Sequence, residues 1–492
     1  MNKKRIVIII MLGLVLICLF IIKKEVTNFS QPIQVKESVN VEEYGVVGDG
    51  ITDDSVKFQL AINDAVRKNK VLIVPAKTYL VSPLRYRDSS SLDWWCLSIP
   101  SNAKIYFETG AKLKLVDNAP AKTRVFVIYE ATNVNIYGRL EVDGSAHTVL
   151  NGNEHMHGIF IYDSKDIFIE SAYSYNSYGD NLFIGGTEED HSENVQINEF
   201  RGVTAGRKNL VLHYVDNLHI GTAILDNSKG DVLNNWLGGN SLDLEPDDYE
   251  GKKKFYQRID YISTYGMGND FTVGTKRAIA KKWILEIGNF HVVLMKGAVE
   301  GLQSYASTVK IDKLFIKSFP GNKDQGINLS YGAHWEIKEA YFVDGGDFAI
   351  SAKAIDEDKP MLMLEKVFIS RPSGKGLKLW GTDAEIKSLE MNSVRESGLD
   401  ILSTSHQQVN IENFIIRNSG ESEIISVSDY GYKPKVSIGN LLVMDDRKDH
   451  ANSIVYLETQ VAVDHFKIKN LQNFDLINEV TYGSSVIEKG ID

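Results

Sequence analysis

The feature that most constrains the fold is a set of short segments that repeat one plan. Each segment has an apolar strand, a corner rich in Asn, Ser and Gly, and a second strand with apolar residues at alternate positions. "AYSYNSYGDNLFIGG" (172–186), for example, overlays "DYISTYGMGNDFTVG" (260–274). The second strands are predicted to begin near Gly158, Asn181, Asn209, Ser241, Asp270, Gly301, Gly326, Asp347, Gly376, Gly398 and Glu423.

This spacing of about 21 to 32 residues lies in the period range of solenoids and β-helices. A single coil cannot bury its inward side chains alone, so stacked coils must create the core. We therefore predict an all-β solenoid, a parallel β-helix, whose open first coil needs a cover.

The segment "EYGVVGDGITDDSVKFQLAINDAV" (43–66) supplies that cover. It predicts an amphipathic helix from Thr52 or Asp53 to about Asn69, because apolar residues recur at helical spacing. These residues are Phe58, Ala61, Ile62 and Ala65. The segment lacks the Gly-Lys-Ser/Thr of a P-loop and the acid spacing of an EF-hand. Its glycines and aspartates are therefore predicted to be structural.

Composition excludes some classes of function. The 492 residues carry a net charge of -11, which argues against nucleic acid as a partner. The two cysteines, Cys18 and Cys96, lie far apart in sequence, which argues against a disulfide framework and a Cys-based metal site.

The N-terminus predicts membrane attachment. "MNKKR" precedes an uninterrupted apolar run over residues 6–22, followed by two lysines. We predict an anchor helix within 1–24, with a cleaved signal and secretion as the alternative, and a body outside the cytoplasm. A polar tether over 25–40 follows, then the β-helix domain over 41–480 and a tail over 481–492. The oligomeric state is left open, a trimer included.

Several blocks resemble one known superfamily. "YGVVGDGITDDSVKFQLAI" is similar to the N-terminal signature of the pectate-lyase superfamily, and "YGDNLFIGG", "GRKNLVLH" and "NSLDLEPDD" resemble its successive coils. The resemblance covers roughly residues 40–430 and implies a right-handed parallel β-helix that acts on a polysaccharide. The blocks of glycoside hydrolase family 28 are not reproduced, and a polygalacturonase identity is not expected.

Alignment of the second strands places polar side chains in columns. With Leu182, Leu210 and Leu242 facing inward, their neighbours along the strands are expected to face outward. The predicted catalytic residues on this face are Asp180, Asp243, Glu245, Asp270 and His213. The predicted substrate-binding residues are Arg207, Lys208, Asn181, Asn209, His157, Tyr162 and Phe183. Carboxylates, basic groups and aromatic rings on one face suit a saccharide.

Asp243 and Glu245 are the strongest candidates for a catalytic pair of carboxyl groups. Residues i and i+2 of a strand lie about 6.5–7 Å apart. Inverting glycosidases hold their two carboxyl groups about 6.5–9.5 Å apart. We therefore expect glycoside hydrolysis without a cofactor or metal, with Asp180 and Asp243 ranked first.

Two other hypotheses about the function remain open. A lyase or C5-epimerase acting on uronates would use the same carboxylates to bind Ca²⁺. Arg207, Lys208 or His213 would then remove the proton from C5. A non-catalytic polysaccharide-binding scaffold would need only hydrogen-bonding and stacking groups.

Overall fold

The computed structural model describes residues 37–86, 93–227, 240–245, 250–266, 271–273, 282–296, 301–305, 307–322, 324–330, 332–354, 359–403, 406–417, 425–429, 432, 434–444, 455–457 and 461–469. The predicted anchor, most of the tether and the tail over 481–492 lie outside these residues. Among the described residues, no helix is both long and apolar enough to cross a bilayer. The compact unit that carries the coils runs from Val39 to Asp492.

The described elements are one α-helix, two 3-10 helices and many strands. The helix α1 is Ser55–Arg67, and the 3-10 helices are Val41–Tyr44 and Ala146–Thr148. The strands, in chain order, are β1 Ser38–Asn40, β2 Asp49–Asp53, β3 Val71–Val74, β4 Thr78–Val81, β5 Arg85–Tyr86, β6 Trp94–Ser98, β7 Lys104–Phe107, β8 Lys112–Leu115, β9 Thr123–Tyr129, β10 Thr132–Asp143, β11 Ile159–Tyr162, β12 Lys165–Tyr175, β13 Leu182–Gly185, β14 Ser192–Val203, β15 Lys208–Leu212, β16 Val215–Asp226, β17 Asn240–Leu244, β18 Phe255–Gly266, β19 Phe271–Val273, β20 Trp283–Leu294, β21 Leu302–Tyr305, β22 Thr308–Lys317, β23 Gln325–Ser330, β24 His334–Val343, β25 Phe348–Lys353, β26 Met361–Ser370, β27 Lys375–Trp380, β28 Asp383–Asn392, β29 Leu399–Ser403, β30 Gln408–Arg417, β31 Ile425–Asp429, β32 Lys435–Met444, β33 Val455–Leu457 and β34 Val461–Lys469.

These strands form two long sheets, which are parallel except for the antiparallel pair β5 and β6 in the second sheet. From β10 to β34, the even-numbered strands pair in sequence order and form the first sheet, which also contains β1 to β4, β7 and β8. From β9 to β33, the odd-numbered strands pair in order, with β6 and β5 at the N-terminal end, and form the second sheet. The chain alternates between the sheets coil by coil, which fits the predicted right-handed parallel β-helix.

The core lies between the two sheets. Leu182, Leu210 and Leu242 occupy one column of the second sheet and are fully buried. The observed strands begin within two residues of the predicted starts, so the repeat in the sequence is the repeat of the fold. Alternating apolar positions set this register, because a slip of one residue would turn the apolar side chains outward.

Helix α1 packs against the first coils, near β3, β6 and β7. Its four predicted apolar residues are all buried. The helix is shorter at both ends than predicted, and Asp54 at its N-cap makes no capping bond. Asp54 instead accepts hydrogen bonds from the backbone N–H groups of Val47 (2.7 Å) and Gly48 (2.9 Å). The carboxylate therefore holds the loop that leads into the helix.

This role predicts a large stability effect. We expect Asp54→Ala to lower the free energy of unfolding by about 3 kcal/mol, because two backbone donors lose a buried carboxylate. The matched variant is Asp49→Ala, which removes an exposed carboxylate from the same loop. Its cost is expected to be no more than about 1 kcal/mol. Urea denaturation of both variants measures the difference, and equal costs would contradict a structural role specific to Asp54.

Candidate active site

The candidate site lies on the outer face of the second sheet, between β11 and β17. Phe160, Phe183, Val211 and Asp243 pair in register across four successive strands, as the sequence predicted. Glu245 directly follows β17, and its backbone N–H bonds the carbonyl of Leu212. Asp243 and Glu245 therefore lie on the same coil, two residues apart.

Asp180 is the most buried member of the group. Its side chain has no exposed surface. Its Oδ2 lies 3.1 Å from Nη1 of Arg207 and 3.2 Å from Nδ1 of His157. Burial would raise the pKa of Asp180, but Arg207, His157 and Lys208 together bring it below its usual value. Asp180 is therefore a charged, enclosed partner for Arg207.

Arg207 joins three carboxylates. Besides Asp180, it donates a hydrogen bond to Glu245, and its Nε lies 3.6 Å from Oε2 of Glu154. Burial opposes its charge, but the surrounding carboxylates outweigh burial and raise the pKa of Arg207. A guanidinium suits this position because its fixed fork of donors serves several oxygens at once.

Asp243 pairs with a different cation, and its pKa is shifted in the opposite direction from the pKa of Asp180. Its Oδ2 lies 3.1 Å from Nζ of Lys208, and its side chain is 6% exposed. Burial raises the pKa of Asp243, Lys208 and Arg207 oppose that rise, and the negative charge of Asp180 adds to it. Environments that move two neighbouring carboxyl groups in opposite directions are typical of acid–base sites. Asp243 thus holds a proton more readily than Asp180 does.

His157 is held between aromatic rings. Its ring stacks on Phe160 (5.3 Å between centroids) and on Phe183 (5.2 Å). Burial lowers the pKa of His157 to about 4, although Asp180 works in the other direction. His157 was predicted to bind substrate, but it is 3% exposed. In this conformation it supports Asp180 and does not contact a ligand.

A row of half-buried rings borders the carboxylates. Tyr129 stacks on Tyr162 (5.8 Å), and Phe183 packs between Tyr162 (6.5 Å) and His213 (5.8 Å). The register of β15 and β17, which pairs Leu212 with Leu244, places His213 beside Glu245 when it is extended by one residue. Partly exposed aromatic rings next to carboxylates provide a surface on which a sugar ring packs.

Other predicted site residues occupy different surroundings. Asn181 and Asn209 were expected to face outward and bind substrate, but both are fully buried. The Asn181 side chain donates to Asn209 Oδ1 (2.7 Å), and the Asn209 side chain donates to Asn227 Oδ1 (2.9 Å). The prediction was wrong because Asn181, just before β13, and Asn209, near the start of β15, turn inward and form an asparagine ladder. Asp270 lies outside the described residues.

Sequence reasoning missed three contributors. Glu154 approaches Arg207 from a segment more than 50 residues earlier, and no repeat pattern marks it. Tyr129 was detectable, since it pairs in register with Tyr162. Arg124 lies over the ring of Phe160 (4.1 Å) and pairs with Asp93 (2.8 Å). An arginine inside the apolar strand "TRVFVIY" was the signal for this pair.

The carboxylates are held by cations, and they do not form a metal-binding cluster among the described residues. Across those residues, no group of three or more His, Cys, Asp or Glu side chains has the arrangement needed to hold a metal ion. Arg207 pairs with Asp180 and Glu245, and Lys208 pairs with Asp243.

The chain resembles known proteins at its N-terminus and in its fold. Residues 38–86 match the family model "Rhamnogalacturonase A/epimerase, pectate lyase-like". A search of curated proteins finds no match.

Several solved structures are similar to this chain at low sequence identity. The mannuronan C-5 epimerase AlgE6 A-module of Azotobacter vinelandii is 14% identical with a TM-score of 0.44, covering 88% of this chain and 98% of that one. An exopolygalacturonase from Thermotoga maritima is 14% identical with a TM-score of 0.37, covering 84% and 95%. PfbA, a surface adhesin of Streptococcus pneumoniae, is 13% identical with a TM-score of 0.39, covering 82% and 91%.

The match over residues 38–86 includes the capping segment singled out in the sequence, and the two stacked sheets that follow are those of a parallel β-helix. The predicted resemblance to the pectate-lyase superfamily is confirmed over residues 38–86.

Proposed function

We propose that the chain is a carbohydrate-active enzyme that hydrolyses a polysaccharide bound along the outer face of the second sheet. The observation that carries this proposal is the pair Asp243 and Glu245. Asp243 is a carboxyl group with a raised pKa, and Glu245 lies two residues away beside half-buried rings. The family model matched by residues 38–86 supports the same class of substrate.

In this mechanism Asp243 is the general acid. It gives its proton to the glycosidic oxygen as the bond to the sugar carbon breaks. Glu245 accepts a proton from the attacking water, and the spacing of about 6.5–7 Å along a strand leaves room for that water. Lys208 lies against Asp243 and must move aside for substrate; an acidic sugar would assist by pairing with it.

Asp180 acts in this scheme as a positioning residue. It has no exposed surface in this conformation, so it does not contact substrate directly. By holding Arg207 it fixes the guanidinium that donates to Glu245. This changes the ranking suggested by the sequence, which placed Asp180 beside Asp243 as a reacting carboxyl group.

The product chemistry tests the reaction. The purified chain is incubated with a panel of neutral and uronate polysaccharides, with and without EDTA. Hydrolysis predicts new reducing ends, no ultraviolet absorbance from an unsaturated uronate, and no effect of EDTA. Retention of polysaccharide with no shortening or epimerisation would replace the hydrolase proposal with a binding scaffold.

The second candidate is β-elimination or C5-epimerisation of a uronate. The two cations Arg207 and Lys208 favour it, because such reactions require the substrate carboxylate to be neutralised. His213 beside Glu245 is then the base, and Ca²⁺ is a cofactor if Asp270 joins the carboxylates. Unsaturated products, or inverted sugars without cleavage, would support this candidate and overturn hydrolysis.

We also propose that the chain acts outside the cytoplasm, attached through its N-terminus. The support is the apolar run over residues 6–22 and its flanking lysines. Fractionation of cells expressing the full chain tests the attachment: release of the intact chain by a high-salt wash alone would contradict it.

A further inference from the structure

A second group of charged and aromatic side chains lies on the same sheet, several coils beyond the candidate site. Strand β25 carries Phe348 and Lys353, and strand β27 carries Lys375, Lys378 and Trp380. The register pairs Phe348 with Lys375 and Lys353 with Trp380. We call these five residues the basic aromatic patch.

The lysines of the patch lie over its rings. The ammonium group of Lys353 is 4.2 Å from the centroid of the Trp380 ring. That of Lys378 is 4.9 Å from the Phe348 ring and 5.6 Å from the Trp380 ring. The ammonium groups and the rings therefore form one continuous surface across two adjacent strands.

Positive charge exceeds negative charge within the patch. Among the described residues, Asp400 on β29 pairs with Lys375 and lies opposite Lys378 in register. The pKa of Lys378 is lowered, first by burial and then by Lys375 and Lys353, while Asp400 opposes that change. Within the part of the chain that the structure describes, the ion pair that involves these three lysines is the one between Lys375 and Asp400, and an added anion would stabilise their positive charge further.

The patch repeats a feature of the candidate site. Lys375 and Asp400 stand at the same coil positions as Lys208 and Asp243, and both acids lie in one column of the sheet. Five inter-strand steps separate β17 from β27, which places the patch about 24 Å from Asp243 along the sheet. A polymer extended along this face would contact both places.

We propose that the basic aromatic patch is a second binding site for an acidic polysaccharide, one that contains uronate sugars. Rings pack against the apolar faces of sugars, and ammonium groups pair with the carboxylates. Nucleic acid fits less well, because its binding proteins neutralise many phosphates with an overall basic surface, whereas this chain has a net charge of -11. The choice of a saccharide ligand rests on the proposed function.

Equilibrium binding of short fluorescent oligogalacturonate and oligomannuronate probes tests the proposal. Binding is measured on the full chain carrying Asp243→Asn, so that turnover does not consume the probe. We expect Lys353→Gln/Lys378→Gln to bind the preferred probe at least about tenfold more weakly, because two charge-assisted contacts are lost. A neutral cello-oligosaccharide is expected to bind weakly to every variant.

The matched control is Lys165→Gln/Lys366→Gln, which removes the same charge from exposed positions on the first sheet. Equal losses in both double variants, or no loss in the patch variant, would overturn the proposal. Tighter binding of oligothymidylate than of either uronate probe would do the same. Should the double variant fail to fold, Lys353→Gln alone removes an exposed side chain and is expected to weaken binding about threefold. Full turnover by Asp243→Asn would refute the role of Asp243 as the general acid, which is a different outcome from unchanged probe binding by the patch variant.

Discussion

Asp243→Asn is expected to lower turnover on the polysaccharide that the chain cleaves by about 10²–10⁴-fold, the usual contribution of a general acid. The amide has nearly the same shape as the carboxyl group but has no proton to give. Because the amide no longer balances the charge of the buried Lys208, the variant is also expected to be less stable to heat than the wild type. Reducing-end release and a thermal unfolding curve on the same preparations separate the two effects.

The pH dependence of the wild type gives a second readout. An acid must be protonated to act, so turnover should fall as pH rises through the pKa of Asp243, which lies above the usual value of 3.8. The matched variant is Asp324→Asn, since Asp324 is also buried and its pKa is also raised, first by burial, but it lies on a later coil. Equal turnover losses in Asp243→Asn and Asp324→Asn would mean that the effect is structural.

Arg207→Met is expected to lower the free energy of unfolding by about 3–5 kcal/mol, the range for removing one partner of a buried ion pair. Asp180 would keep its burial and lose its strongest cationic partner. Turnover is also expected to fall, because Glu245 loses a donor. The matched variant is Arg258→Met on the first sheet, whose partners are Asp260 and Glu286. These groups are more exposed, so the cost is expected to stay within about 1 kcal/mol.

The stability cost of Arg207→Met should also depend on pH. In the wild type, the pKa of Asp180 in the folded protein lies below the ordinary aspartate value of 3.8. Asp180 therefore contributes to folding stability above pH 3.8, and this contribution is lost as the pH falls through the pKa of the folded state. Without Arg207, burial dominates and raises that pKa, so the variant loses stability as pH rises through the raised value. Denaturation curves at acidic and neutral pH should therefore show a deficit that grows with pH. A deficit that shrinks toward neutral pH would contradict the role of Arg207.

Much of the fold was predictable because its signal is periodic. Alternation along each second strand identified Leu182, Leu210 and Leu242 as inward, and the observed register agrees. Phe58 and its helical neighbours identified the buried face of α1 in the same way. Its N-terminal boundary was missed because Asp54 bonds the preceding loop, a contact that helix capping rules do not anticipate.

The site was predictable only as a face of the solenoid. Column alignment brought Asp243 and Glu245 together, but it assumed that every residue beside an inward leucine faces outward. Near the start of β15, the side chain of Asn209 turns inward and donates a hydrogen bond to Asn227, which alternation along the strand cannot reveal. Glu154 also pairs with Arg207, but it lies in a distant loop and is not part of the aligned columns. Burial and ion pairing, which decide the pKa directions, depend on such contacts and have no local sequence pattern.

The most direct test of the central claim is a crystal structure of the Glu245→Gln variant with the oligosaccharide that the wild type releases. We predict that the sugar packs against Tyr162 and Phe183, with its glycosidic oxygen within hydrogen-bonding distance of the Asp243 carboxyl group. An oligosaccharide bound on the first sheet, or one on the second sheet that leaves Asp243 out of reach, would contradict the account.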